Sequence, residues 1–211
     1  MKLTVFGASG ATGRCLTTQA LAAGHEVTAV VRDPARLTVD PHSRLQVVTA
    51  DVMDPAAIAP AVVGADAVLT GVGPRGTGST TVIADSVRSI IAAMEMSGAR
   101  RLLALSGSIV ADEGESPYLR YLIKPLARRT FLRHVNADMA AAEGEIEASR
   151  LDWTILRPPR LTGKRATGSY RVAIDRNLPH GFTVPRADLA ACMLTLIDDP
   201  ATVRTRVGIA S

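Results

Sequence analysis

Three glycines near the amino terminus have the spacing of a phosphate-binding turn. Gly7, Gly10 and Gly13 follow the short apolar run of residues 3–6 and precede a stretch that favours a helix. Gly7 suits a tight turn, Gly10 lets the backbone approach a diphosphate, and Gly13 lets the helix pack closely on the strand. Free amides and the positive end of the helix dipole attract anions. The sequence therefore predicts a dinucleotide diphosphate site; the alternative is a structural turn that binds nothing.

Two arginines after the second predicted strand indicate which dinucleotide binds. Arg32 lies about twenty residues beyond Gly13, where an NAD enzyme usually carries an acid for the ribose 2′-hydroxyl. A guanidinium there pairs with a 2′-phosphate instead, and Arg36 lies one helical turn further on. The sequence therefore favours NADP(H), while Asp33 leaves NAD(H) as an alternative. Otherwise Arg32 and Asp33 form only a polar strand end.

Three more residues at predicted strand ends are candidates for cofactor contacts. Asp51 follows the third strand, where its carboxylate could accept a hydrogen bond from an adenine amino group. Its other role is to cap the helix that begins near Pro55, which Asp54 could fill equally well. Gly71 and Gly73 follow the fourth strand in a glycine-rich loop. Either close backbone approach to the nicotinamide ribose or plain loop flexibility explains them.

Several segments in chain order resemble one known family. They are GASGATGR, VVRDPARL, ADVMDP, the turn at Ser106 and LDWTILRPPRL. In these segments the chain resembles the atypical short-chain dehydrogenase/reductase group, which binds NAD(P)H and includes biliverdin reductase B, also called flavin reductase, and NmrA-like proteins. The resemblance covers most of residues 1–165 and implies a Rossmann-like fold with a nicotinamide dinucleotide cofactor.

The resemblance also implies roles for individual residues. The group expected to line the pyrophosphate is Gly7, Ser9, Gly10, Ala11 and Thr12, and the pair expected at the 2′-phosphate is Arg32 and Arg36. Ser106 would lie near the nicotinamide, and backbone groups of the turn Pro158-Pro159-Arg160 would hold its carboxamide. Arg160 stands where the biliverdin-reducing relatives have a histidine, which suits an anionic or carbonyl-bearing acceptor.

The tyrosine–lysine pair of conventional short-chain reductases is missing. In those enzymes a Tyr-x-x-x-Lys spacing lets the lysine lower the pKa of a tyrosine that acts as a general acid. Here the residues four positions after the three tyrosines are Leu122 after Tyr118, Pro125 after Tyr121 and Ile174 after Tyr170. Alcohol dehydrogenation and sugar epimerisation, which exchange a proton with a hydroxyl, are therefore not expected.

The expected reaction is hydride transfer from NADPH to a flavin or a quinone. Such acceptors collect a proton from water, so a tyrosine–lysine pair is not needed. Ser106 is predicted to donate a hydrogen bond and Arg160 to stabilise developing negative charge, as catalytic residues. The alternatives are a turn cap for Ser106 and a solvated loop charge for Arg160. The alternative function is a non-catalytic, NmrA-like sensor of the NADP/NADPH ratio.

Alternating strands and helices are predicted to position these residues. Strands are predicted at residues 3–6, 26–31, 45–49, 66–70, 101–105, 168–174 and 203–209, and helices at 11–23, from Pro55, from Ser79 or Thr80 to Gly98, and at 185–197. We expect an α/β fold with a Rossmann-like doubly wound parallel sheet flanked by helices, in a single domain of residues 1–211. Residues 161–184 are expected to form a small substrate flap near its carboxyl terminus.

One segment does not fit the alternation. A helix over residues 118–135 would place Arg120, Lys124 and Arg128 on one face, expected to be solvated. Its apolar face would cover the active site as a lid or dock a second subunit. Downstream, Asp138 and Glu143 are separated by too large an angle to form a carboxylate dyad on one helix face, so we expect them to form ion pairs with arginines.

Composition excludes several other classes of protein. A net charge of only +4 with 3% aromatic residues does not fit a nucleic-acid-binding surface. Cys15 and Cys192 are expected to be buried thiols, and neither they nor the scattered histidines have metal-ligand spacing.

The first strand starts at residue 3 and no apolar run is long enough to span a bilayer, so we expect a cytoplasmic protein. The expected partner is the small-molecule acceptor, and the expected state is a monomer or a homodimer.

Overall fold

The computed structural model describes residues 1–74, 76, 78–114, 117–118, 121, 124–129 and 132–211, and their side chains except those of residues 127 and 128. The strands of these regions are β1 (Lys2–Phe6), β2 (Glu26–Val31), β3 (Leu45–Thr49), β4 (Ala67–Thr70), β5 (Arg101–Leu105), β6 (Asp152–Arg157), β7 (Arg160–Thr162), β8 (Arg171–Ile174), β9 (Thr183–Pro185) and β10 (Thr205–Ala210). The α-helices that lie wholly within these regions are α1 (Ala11–Ala22), α2 (Pro55–Val62), α3 (Val82–Ser97), α4 (Lys124–Arg129), α5 (Arg133–Ala148) and α6 (Arg186–Thr195).

Most of the strands form one large sheet. Their order across it is β3-β2-β1-β4-β5-β6-β10-β8. All neighbours are parallel except β8, which runs antiparallel to β10. The strand order therefore reverses between β1 and β4, and in open α/β sheets ligands bind outside the carboxyl ends of the strands at such a point. The predicted fold class, an α/β Rossmann-like doubly wound sheet, is confirmed.

Helices cover both faces of this sheet. On one face α1 packs against α6, and on the other α3 packs against α2 and α5. Each face has its own hydrophobic core cluster. Successive side chains of a strand point to opposite faces, so Leu3 and Val5 of β1 pack in the cluster under α1 and α6, and Phe6 packs in the cluster under α2, α3 and α5. Because both faces are buried, the central strands are apolar along most of their length, as expected for a parallel sheet.

The predicted flap, residues 161–184, is divided between two sheets. Its first and last residues, Leu161 and Val184, pair with each other in the small parallel sheet of β7 and β9. The strand predicted at residues 168–174 forms only as β8, and it extends the edge of the main sheet instead of standing apart from it. By contrast β2, β3 and β5 span the residues predicted for them.

The two cysteines are free thiols, as predicted, but only Cys192 is fully buried; Cys15 is half-buried. Burial raises the pKa of the Cys192 thiol to about 12, so this thiol stays protonated at neutral pH. Within the described ranges, no helix is both long and apolar enough to cross a membrane.

Candidate functional site

The glycine turn after β1 is packed too tightly for side chains. Gly7 has a φ of +77°, and a Cβ atom there would lie 2.9 Å from the carbonyl carbon of Gly71. A Cβ atom on Gly13 would lie 2.2 Å from the carbonyl oxygen of Gly7. Between them, the amide of Gly10 donates a hydrogen bond of 2.9 Å to that same oxygen. The glycines therefore fix α1 directly against the end of β1, as the spacing predicts.

The amino terminus of α1 carries no anionic group of its own. Gly10 is the cap residue, and the first turn of the helix contains no acidic residue. No side chain of the described residues caps the helix. The unpaired amides and the helix dipole therefore present partial positive charge at the carboxyl edge of the sheet. Such an end is suited to bind a phosphate.

A cavity of about 510 Å³ opens at this edge. It is bounded by the ends of β1, β2 and β4 and by the first residues of α1 and α3. The predicted cofactor residues that line it are Gly7, Ser9, Gly10, Ala11, Thr12, Arg32, Arg36, Gly71 and Gly73. Its volume lies within the range of small-molecule sites. The structure therefore brings most of the predicted nucleotide contacts into one cavity.

Another cavity, of about 470 Å³, lies at the opposite edge of the sheet. Its wall includes Lys2, Glu26 and Arg44, at the amino ends of β1, β2 and β3. Ligands of open α/β sheets bind at the carboxyl ends of the strands, so the first cavity is the candidate site.

Arg32 and Arg36 project from a short turn after β2. Asp33 caps this turn, because its carboxylate accepts a hydrogen bond of 3.0 Å from the amide of Ala35. In the described part of the chain the guanidinium group of neither arginine has a hydrogen bond or an ion pair, so both groups are available to an anion. Nearby, Nη1 of Arg14 donates a hydrogen bond of 2.6 Å to Oγ1 of Thr38 and ties α1 to the segment beyond the turn.

Asp51 does not line the cavity. Its carboxylate accepts a hydrogen bond of 3.1 Å from the amide of Met53, while Val52 and Met53 themselves line the cavity wall. Asp54 caps α2 by accepting hydrogen bonds from the amides of Ala56 and Ala57. The carboxylate of Asp51 thus stabilises its own turn. The predicted contact between Asp51 and an adenine stays a prediction.

The residues predicted to surround the nicotinamide meet at the ends of β5 and β6. The amide of Ser106 donates to the carbonyl of Leu156 at 2.8 Å, and the amide of Ser108 donates to the carbonyl of Pro158 at 2.9 Å. Oγ of Ser106 is buried, and no group in the described residues forms a hydrogen bond with it. Burying a hydroxyl without a hydrogen-bond partner costs folding free energy. A bound ligand could supply the partner that the Ser106 hydroxyl lacks. Neither Ser106 nor Pro158 nor Pro159 lines the cavity described above.

A buried ion pair supports this junction from behind. Arg157, the last residue of β6, donates from Nε to Oε1 of Glu143 at 3.0 Å and from Nη2 to Oε2. The Arg157 and Glu143 side chains are only 10% and 5% exposed. The predicted ion pair of Glu143 is confirmed, and its bidentate geometry fixes the start of the Pro158-Pro159 turn.

Asp138 has a different role from the one predicted. Instead of pairing with an arginine, its carboxylate accepts hydrogen bonds from the amides of Ile83 at 3.0 Å and Ala84 at 2.9 Å. It therefore caps α3 from a helix that is distant in sequence, and the ion-pair prediction for Asp138 is wrong. The amino terminus of α3 is satisfied by the protein, unlike that of α1.

The predicted solvated basic face is wrong for Lys124, which is buried. Its Nζ donates to the carbonyl of Ser108 at 2.5 Å and to that of Ala111 at 2.6 Å. Nδ2 of Asn177 donates to the same two carbonyls. Arg120 and the Arg128 side chain lie outside the described residues. Lys124 and Asn177 together hold the loop that follows Ser106.

Beyond β6 the chain turns back towards the cavity through β7 and β9. Arg160 is exposed and does not line the cavity, whereas its neighbour Leu161 does. Arg186, the first residue of α6, also lines it, and sequence reasoning missed this residue. Its place directly after Pro185, at the start of a predicted helix, was the available signal.

Asp188 locks the connection between β7 and β8. Its buried carboxylate accepts hydrogen bonds from the amides of Thr167 and Gly168 and from Oγ1 of Thr167. Burial by itself raises the pKa of Asp188, but these hydrogen bonds outweigh it and hold the pKa below its ordinary value. Asp188 therefore stays ionised and pins this connection to α6.

The arrangement fits a nicotinamide dinucleotide. Bare helix amides and a glycine turn can hold the diphosphate, and two unpaired guanidinium groups can hold a 2′-phosphate. A Cβ atom on Gly73 would have no atom of the described residues within 4 Å, so a ligand can approach the backbone there closely.

Comparison with known proteins agrees with this geometry. A family model described as NAD(P)H-binding matches residues 7–200 of the chain. The uncharacterized protein YwnB of Bacillus subtilis (strain 168) is 26% identical over 219 residues, which cover 100% of this chain and 99% of that protein.

Two solved structures are similar over the full length of the chain. The anaerobilin reductase ChuY of Escherichia coli O157:H7 is 27% identical with a TM-score of 0.79, and the match covers 100% of this chain and 97% of that one. A Rossmann-fold NAD(P)-binding family protein from Shigella flexneri is 26% identical with a TM-score of 0.74, over 100% of this chain and 93% of that one.

Proposed function

The chain belongs to the NAD(P)H-binding family, and from this premise we propose that it is an NADPH-dependent reductase whose acceptor is a flavin or a quinone-type molecule. The observation that carries the proposal is the cavity in which the uncapped start of α1 faces the unpaired guanidinium groups of Arg32 and Arg36. Its fold is that of NAD(P)-binding oxidoreductases, and a nicotinamide dinucleotide is its cofactor.

The two arginines support a preference for NADP(H). A 2′-phosphate gives a guanidinium a doubly charged partner, whereas the 2′-hydroxyl of NAD(H) usually pairs with an acid. The only acidic residue among the described ones that line the cavity is Asp33, and its carboxylate already accepts from the amide of Ala35. The balance of charge in this part of the cavity therefore favours a phosphate.

The chain's own groups would orient the reactants. When bound, a reduced nicotinamide supplies hydride, which together with a proton from water completes a two-electron reduction. Oγ of Ser106 is a buried donor at the junction of β5 and β6 and would hydrogen-bond an acceptor oxygen or the nicotinamide carboxamide. Lys124, Asn177 and the Arg157–Glu143 pair hold the two turns of this junction in place.

The choice of a flavin or quinone rests on the missing tyrosine–lysine pair. Neither acceptor needs a protein group to protonate a hydroxyl, and the similarity to ChuY, an anaerobilin reductase, supports a conjugated acceptor. Arg160 remains our proposed group for stabilising negative charge, from an exposed position beside Leu161.

The test is NADPH consumption by the purified protein with FMN, a water-soluble quinone, anaerobilin or no acceptor. We expect turnover with at least one acceptor and none without. Ser106→Ala should lower kcat on the order of 10-fold to 100-fold, because it removes a donor that no described protein group uses. Tight NADPH binding with no turnover on any acceptor would refute the reductase and support the NmrA-like sensor.

A further inference from the structure

Arg186 is a cation of the cavity that the predicted nucleotide contacts do not include. It is the first residue of α6, it is half-buried, and it lines the cavity together with Leu161. Side chains at the start of a helix point back towards its amino terminus, which here is the carboxyl edge of the sheet. Arg186 therefore extends into the same edge as the glycine turn.

In the part of the chain that the structure describes, no anion neutralises this guanidinium. Among these residues the side chain of Arg186 has neither a hydrogen bond nor an ion pair, although it is partly withdrawn from water. The acid nearest to it on α6, Asp188, is committed to Thr167 and Gly168. The described charged residues of the cavity wall are thus Arg32, Arg36 and Arg186 against Asp33 alone.

Arg186 reaches the cavity from a different element than the 2′-phosphate pair. Arg32 and Arg36 follow β2, which lies on one side of β1. α6 leads instead into β10, on the far side of β6, and Arg186 lies beside Leu161, which follows the Pro158-Pro159 turn. We therefore expect Arg186 to bind an anionic group other than the 2′-phosphate.

We propose that Arg186 binds an anionic oxygen group, a phosphate or a carboxylate, in the half of the cavity beyond the glycine turn. Two sources offer this chemistry: the diphosphate of the dinucleotide and an anionic group on the acceptor. The proposal rests on the proposed function for its second source only. It makes Arg186, and not only the exposed Arg160, a residue that selects charged ligands.

The experiment compares Arg186→Ala with Arg186→Lys and with Arg165→Ala, a matched control that removes an exposed arginine outside the cavity. Because the Arg186 guanidinium has no partner among the described residues, its removal should leave the unfolding midpoint unchanged. Dissociation constants are measured by fluorescence for NADPH and NADH, and then for FMN and riboflavin with the NADP⁺-saturated protein. FMN and riboflavin differ by one phosphate, so they separate a charge effect from ring binding.

A contact with the diphosphate predicts that Arg186→Ala weakens NADPH and NADH by the same factor, about tenfold or more. A contact with the acceptor predicts unchanged dinucleotide binding, FMN weakened about tenfold, and riboflavin unaffected. In both cases Arg186→Lys should recover part of the loss. Effects below about twofold on all four ligands, or equal effects from Arg165→Ala, would overturn the proposal.

Failure of this proposal is distinguishable from failure of the reductase. If wild-type protein binds NADPH and FMN without turnover, the reductase fails while the binding shifts at Arg186 still decide its role. If wild-type protein turns over and Arg186→Ala binds every ligand normally, only the role of Arg186 fails. If wild-type protein binds neither dinucleotide nor FMN, both are overturned.

Discussion

Replacing Gly13 by alanine should damage both the fold and the nucleotide site. A Cβ atom at this position would lie 2.2 Å from the carbonyl oxygen of Gly7, where ordinary contacts begin at 3.4 Å. The difference, 3.4 − 2.2 = 1.2 Å, is the separation that α1 and the end of β1 must gain to restore an ordinary contact. Since Gly7 is itself wedged against Gly71, the turn has little freedom to absorb this movement.

Whether Gly13→Ala lowers or raises the free energy of unfolding distinguishes close packing from helix propensity. Propensity alone favours alanine over glycine inside a helix by about 1 kcal/mol. Overpacking of a close contact costs about 1–3 kcal/mol, so we expect Gly13→Ala to be destabilised. Gly144→Ala is the matched control, because Gly144 is exposed within α5 and a Cβ atom there meets nothing within 4 Å. It should be neutral or stabilised.

Binding should fall with the displacement of α1. The helix amides that face the cavity would move by about the length of the clash, and each hydrogen bond to a charged group is worth about 1.5–3 kcal/mol. Loss of one such bond lowers NADPH affinity about tenfold or more. Denaturant unfolding and NADPH fluorescence titrations measure the two effects. A Gly13→Ala protein that matched wild type in both would refute the packing argument.

Three further substitutions test other parts of the structure. Arg32→Ala should weaken NADPH about 10-fold to 100-fold and leave NADH unchanged in competition titrations, because only NADPH carries the 2′-phosphate; equal losses for both would contradict this. Asp188→Asn should lower the free energy of unfolding at neutral pH. The pKa of Asp188 is lower in the folded than in the unfolded protein. The stabilisation that its ionised carboxylate contributes is therefore fully present above the unfolded pKa of about 3.9 and is lost as the pH falls through the folded pKa. Unfolding curves should therefore show the gap from wild type closing in acid, and a gap independent of pH would count against the assignment. Glu143→Ala should cost about 3–5 kcal/mol in denaturant unfolding because it leaves the buried Arg157 uncompensated, whereas Glu145→Ala on the same helix removes an exposed ion pair and should cost less than about 1 kcal/mol; comparable losses would contradict the burial argument.

Local patterns sufficed for the elements around the glycine turn. β2 and β5 are mostly apolar runs that are followed by the polar residues Arg32 and Ser106, and their sequence bounds match the structure. The cavity residues from Gly7 to Thr12 could also be predicted from the glycine spacing. At Gly7 and Gly13 the close backbone contacts leave no room for a side chain, so the need for glycine is visible in the sequence. Each of these features depends on neighbours along the chain or in the adjacent strand.

Roles that depend on distant packing could not be predicted. Asp138 caps α3 across the helix interface, and nothing in its own helix marks that role. Lys124 has the spacing of a solvated face, yet two carbonyl groups of another segment accept from its ammonium group. Arg186 reaches the cavity only because β9 pairs with β7 and brings the start of α6 to the carboxyl edge.

The central claim is that the glycine turn and the two arginines after β2 form an NADPH site. Its most direct measurement is an equilibrium titration of the wild-type protein with NADPH and with NADH at the same ionic strength. We expect both to saturate at a single site, with NADPH bound about 10-fold to 100-fold more tightly and its advantage reduced by added salt. Absence of saturable binding for both nucleotides, or NADH bound at least as tightly as NADPH, would contradict the claim.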